Sequence, residues 1–156
     1  MITSDGCVVI QPAEGRAVRG AAGAATLMKA DGLQTGKLLE AFEQAAPPGS
    51  GPPLHVHHDC AETLYVLDGQ FRFKIGSEAV IAPTGTFLFV PEGVAHTYVN
   101  IGPDEGRILF CFTPAADMAS YFEELAEFPS GPPSDRVLDD IAARHGVEII
   151  RSAGGA

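Results

Sequence analysis

The chain has 156 residues, 46% hydrophobic and 19% charged, which is enough apolar material for one packed core and excludes a disordered chain. Twenty acidic residues against ten basic ones give a net charge of −10, which argues against nucleic-acid phosphates and anionic membrane surfaces as partners. No apolar run reaches the length of a bilayer span.

The N-terminus, Met1-Ile2-Thr3-Ser4-Asp5, lacks a basic segment followed by an apolar one, so no secretory signal is expected. The cysteines, Cys7, Cys60 and Cys111, are odd in number and widely spaced, which fits reduced thiols and a cytoplasmic protein. Residues 37–45 are good helix formers, with Leu38, Phe42 and Ala45 able to share one helical face. Gly36 and the Pro47-Pro48 pair bracket a piece short enough to be a strand, but the local signal predicts helix. Residues 63–67 read as a strand. Asp68-Gly69 then signals a hairpin into 70–75, where Phe71, Phe73 and Ile75 alternate with Gln70, Arg72 and Lys74. Further strands are expected over 86–90, 96–101 and 107–113. Short strands with turns every eight to twelve residues or so indicate an all-β sandwich or barrel. The tail changes period. Met118, Tyr121, Phe122, Leu125 and Phe128 predict an amphipathic helix over 117–128. A second is expected over 134–145, with Ser134 as N-cap and Gly146 as stop. These helices read as a lid or buttress on one domain rather than as a second domain.

Four of the five histidines fall in two windows, 53–62 and 91–100. On a strand, His55 and His57 point to one face and His58 to the other. Glu62 follows a short turn, and Pro91-Glu92-Gly93 delivers His96 at the head of a strand. Three imidazoles and one carboxylate form a mixed nitrogen and oxygen shell for a first-row divalent metal, with room left for water or substrate. Cys60 is expected to be a small semi-buried residue, not a ligand. His145, at a helix end, is expected to be a surface residue. Leu64 and Val66 share the parity of Glu62, and Tyr98 that of His96, so these three are the expected pocket wall. An apolar pocket with few polar groups suits a small-molecule substrate.

These windows resemble the two motifs of the cupins. The first motif, Gly-x5-His-x-His-x4-Glu-x6-Gly, is matched by Gly49, His55, His57, Glu62 and Gly69. The second, Gly-x5-Pro-x-Gly-x2-His-x3-Asn, is matched by Gly85, Pro91, Gly93, His96 and Asn100. The resemblance implies an all-β fold, a cupin jelly-roll barrel over about 37–114 with a helical extension over about 115–146. It makes 37–45 a strand, against the local helix signal. It also implies one divalent transition metal ion per chain (Ni, Fe, Mn, Co, Cu or Zn) on His55, His57, Glu62 and His96, with Asn100 structural. In organisation the chain resembles small single-domain cupins related to quercetin 2,3-dioxygenases. That implies a dioxygenase of an enolic or phenolic substrate, with Glu62 as both ligand and general base. The alternatives are a metal-dependent cyclase or isomerase of polyketide-like molecules and a non-catalytic small-molecule-binding cupin. The family also implies a homodimer, for which exposed sheet edges give a motive.

Overall fold

A computed structural model of the chain describes residues 1–151. Eleven strands and two helices occur in the order β1 (Arg16–Arg19), β2 (Ala25–Ala30), β3 (Glu40–Ala46), β4 (His55–His57), β5 (Ala61–Asp68), β6 (Gln70–Ile75), β7 (Glu78–Pro83), β8 (Phe87–Val90), β9 (His96–Asn100), β10 (Gly106–Thr113), α1 (Met118–Ala126), α2 (Asp135–Arg144) and β11 (Val147–Ile149). They form two antiparallel sheets, one in the order β1-β2-β3-β10-β5-β8 and the other in the order β11-β4-β9-β6-β7. The result is the expected all-β jelly roll with a short helical extension.

Period-two alternation turns one side of each strand inward. Phe42 of β3, Phe71 and Phe73 of β6, and Ile108, Phe110 and Phe112 of β10 are all buried. Phe42 stacks on Phe110 at 5.4 Å and meets Phe122 of α1 at 4.8 Å between ring centroids. Burying a ring of this size contributes roughly 2–3 kcal/mol, so the aromatic layer anchors α1 to the sheet.

The local helix signal over 37–45 is overruled. Residues 40–46 form β3, hydrogen-bonded between β2 and β10, and alternate cleanly between buried and half-buried. Pairing on both sides outweighs a helix propensity worth a few tenths of a kcal/mol per residue. The Asp68-Gly69 turn also differs from expectation. It joins β5 to β6, but these strands lie in different sheets and do not pair. The turn is a corner between layers, with Gly69 at φ 95° and packed closely on Gly106. Sheet structure reaches beyond 37–114, since β1 and β2 extend one sheet and β11 edges the other.

The helices fall where their periodicity places them. α1 buries Met118, Tyr121, Phe122 and Leu125, and α2 buries Leu138, Ile141 and Ala142. Ser134 precedes α2 but makes no side-chain capping bond. At α1, Asp117 is left-handed (φ 61°) and does not cap either. The buried carboxylate of Glu40 does so instead, accepting the backbone N–H groups of Met118 (2.8 Å) and Ala119 (3.2 Å). Among the described residues, no helix is long and apolar enough to cross a membrane.

Candidate metal centre

Strand β4 carries His55 and His57, β5 carries Glu62 at its second position, and β9 opens with His96. His55 and His96 are direct cross-strand partners, with ring centroids 4.4 Å apart. One ligand atom from each of His55, His57, Glu62 and His96 lies within 4.8 Å of every other. The topology therefore brings all four expected ligands together.

Neighbouring carbonyls orient two of the rings. The Nδ1–H of His55 donates to Pro53 O (2.8 Å), and the Nδ1–H of His96 donates to Val94 O (2.9 Å). Both bonds leave Nε2 turned toward the cluster, the arrangement expected of ligating histidines. His57 Nε2 lies 3.3 Å from Glu62 but misaligned, and among the described residues neither of its buried ring nitrogens has a hydrogen-bond partner. Buried, unpartnered imidazole nitrogens facing a buried carboxylate are groups that a cation would satisfy. The donor set suits a divalent first-row metal.

The local electrostatics point the same way. Burial, reinforced by the His96 and His57 rings, lowers the His55 pKa to about 3, so this ring is neutral at physiological pH and its lone pair is available. Burial pushes Glu62 upward, but His57 and His96 outweigh it and hold the carboxyl below the usual carboxylate range. Burial lowers His96, and the hydrogen bond to Glu62 more than reverses this. Burial first, and then the Glu62 charge, push Cys60 up to about 12, so it remains a thiol and no ligand.

His96 Nε2–H donates to Glu62 Oε2 (2.7 Å) while Nδ1–H donates to Val94 O. Both ring nitrogens then hold protons. A cation at Nε2 must displace one of them, because the raised pKa means that the metal-free ring binds more proton at a given pH. Titration with a divalent ion near pH 7 is therefore expected to release up to about one proton, falling as the pH rises through the His96 pKa. Calorimetry in buffers of different ionisation enthalpy measures this directly. Heats independent of buffer would mean that His96 is already neutral.

A cavity of about 40 Å³, open on one side, leads to the cluster. Tyr98 lines it as expected. Leu64 and Val66 do not. Both are fully buried in the core along β5, and the larger rings of Phe110 and Phe112 on neighbouring β10 form that wall. Gln44, Tyr121, Phe122 and Ile149 also line the cavity. Gln44 follows Glu40 and Phe42 at inward parity, a signal visible once 40–46 is read as a strand. His58 faces outward and meets Glu148 of β11 at 2.9 Å, an exposed pair of little energetic weight. Asn100 is structural: its amide donates to Ala46 O and Asp104 O, and its carbonyl accepts from Gly102 N–H. His145 is more enclosed than expected, with its ring between Asp117 (3.2 Å) and Glu124 (3.5 Å).

Residues 42–112, which include all four clustered side chains, match the family model of the cupin domain. The chain contains a cupin domain. This cupin is 36% identical over 74 residues to a quercetin 2,3-dioxygenase of Bacillus subtilis, covering 47% of the chain and 22% of that protein. It is 26% identical over 96 residues to the polyketide synthase CurC of Streptomyces cyaneus, covering 62% of the chain and 58% of that protein. The matches thus span about a fifth and just over half of these two curated relatives. Among solved structures, the polyketide cyclase RemF of Streptomyces resistomycificus superposes with a TM-score of 0.58 at 18% identity, over 67% of this chain and 78% of that one. At that identity the likeness is one of fold.

Proposed function

We propose that this cupin is a metal-dependent dioxygenase of a small aromatic or enolic substrate, flavonol-like in its chemistry. The observation that carries the reading is the convergence of three imidazoles and one carboxylate on a cavity also lined by five aromatic rings, Tyr98, Phe110, Phe112, Tyr121 and Phe122. One divalent ion per chain on His55, His57, Glu62 and His96 would supply Lewis acidity to a substrate oxygen. Glu62, held ionised, takes the proton of the substrate hydroxyl, which requires it within hydrogen-bond reach. Phe110, Phe112 and Phe122 keep water from the activated carbon while dioxygen adds both of its atoms to the substrate.

The cavity, about 40 Å³, has room for roughly three waters. A three-ring flavonol enters only if Tyr121, Phe122 and Ile149 of the tail withdraw. Oxygen uptake by the metal-loaded protein is therefore expected with one-ring enolic ketones more readily than with quercetin. An oxygen electrode and the substrate absorbance test this; neither uptake nor a spectral change with either class would overturn the assignment. A second reading keeps the site and omits dioxygen. Glu62, held ionised, can take and return a proton, as a cyclase or isomerase of polyketide-like molecules needs. Turnover under anaerobic conditions favours it. A ligand recovered unchanged in both atmospheres identifies a binding protein instead.

The protein would act in the cytoplasm as a homodimer. Phe87 and Phe89 on edge strand β8 are 63% and 56% exposed and lie beside Tyr65 and Thr63 on β5, an apolar outer face that a second copy would cover. Light scattering is expected to give a dimer that the double variant Phe87→Asp, Phe89→Asp converts to a monomer. A wild-type monomer at about 100 μM, far above the dissociation constant of a stable dimer, excludes this face as the interface.

A further inference from the structure

Gln44 is a buried polar side chain that the metal chemistry does not use. It sits on β3 in one sheet, is 6% exposed, and lines the cavity. Its Oε1 accepts the O–H of Tyr98 on β9 in the facing sheet at 2.8 Å. In this orientation the buried phenolic O–H has its acceptor, whereas the reversed amide would make the phenol an acceptor and leave its O–H unpaired. Nε2 is thereby turned away from Tyr98 and has no hydrogen-bond partner among the described residues. It faces Gly20, which also lines the cavity; a Cβ at that position would come within 3.1 Å of Nε2. The missing side chain leaves open the space in front of a free N–H donor.

Tyr98 lies two residues beyond His96 on the same inward face of β9, roughly 7 Å along the strand. The cavity is thus lined by two separate polar groups, the His/Glu cluster and the Gln44 amide, together with aromatic rings. We propose that Gln44, held by Tyr98 and given space by Gly20, is a specificity-determining residue that donates a hydrogen bond to a carbonyl oxygen of the substrate several bonds from the oxygen bound at the metal cluster. The substrate class is therefore a small compound with two separated oxygen functions, a keto acid or hydroxy ketone. The proposal rests on the metal reading above for the position of the first oxygen. It adds the second.

The test uses cobalt-loaded protein titrated calorimetrically with levulinate (4-oxopentanoate) and with pentanoate, which lacks only the ketone. Levulinate is expected to bind about tenfold more tightly, the effect of one well-placed hydrogen bond. Gln44→Met, of similar length without a donor, is expected to bring the ratio close to one while pentanoate still binds. Gly20→Ala retains the Gln44–Tyr98 pair but fills the space before Nε2, and should also lower the ratio; it decides alone if the methionine variant fails to fold. Equal affinities in the wild type, no binding of either acid, or a ratio that survives both substitutions overturns the proposal. A chain that takes up no cobalt overturns the metal reading along with it. A loaded chain with no preference overturns this proposal alone.

Discussion

His96→Ala is expected to bind divalent metal at least about 100-fold more weakly than the wild type, since deleting a ligand must cost no less than disturbing a residue that merely orients one. Two observations make this the most damaging ligand substitution. His96 is fully buried, and it is the residue through which β9 meets β4, as the register partner of His55. It also holds the Glu62 carboxylate at 2.7 Å. Without it Glu62 is left buried with only the misaligned His57 for company. Breaking a buried pair on one side costs roughly 3–5 kcal/mol, so the metal-free variant should also melt at a lower temperature than the metal-free wild type. Element analysis after dialysis and a melting curve check both effects. Wild-type metal content in this variant would remove the basis for the site.

Gly51→Ala is expected to destabilise the fold by roughly 3 kcal/mol or more, the range reserved for backbone clashes and core disruption. A Cβ at position 51 would lie 1.7 Å from the carbonyl oxygen of Tyr98, and backbone cannot retreat as a flexible side chain can. The segment is stitched to β9 along its length. Gly49 N–H donates to Asn100 O, Asn100 N–H donates to Ser50 O, and the Thr97 hydroxyl donates to Pro52 O at 2.6 Å. That stitching delivers His55 and His57 beside His96, so any Gly51→Ala protein that folds should also bind metal poorly. Chemical denaturation and metal content measure the two consequences separately. A variant with wild-type stability would show that the close approach is relaxed in solution.

The four clustered side chains were legible because they depend on one short-range rule: alternate residues of a strand share a face. His55 and His57 needed only that rule, and Pro91 and Gly93 marked where the strand bearing His96 begins. What failed to show depends on pairing between distant segments. Residues 40–46 have helix-forming composition, and only β2 and β10 on either side make them a strand. The local helix signal alone places neither Gln44 in the cavity nor Glu40 beneath α1. Strand β2, Ala25–Ala30, holds no aromatic or β-branched residue beyond Thr26, and β11 is three residues long after a helix. Neither carries a pattern strong enough to stand alone. Leu64 and Val66 have the right parity, but parity fixes a face and not a distance, and bulkier neighbours reach the cavity first.

Strand β11 has a consequence for how the protein matures. It pairs antiparallel with β4, placing Val147 opposite His57 and Ile149 opposite His55. The short strand that bears two of the three imidazoles therefore acquires its outer neighbour from a segment synthesised long after it. As the polypeptide leaves the ribosome, the histidines emerge well before the strand that flanks them, and a pairing at this sequence separation forms late. The strand that carries His55 and His57 would thus reach its final setting only once β11 has docked on it.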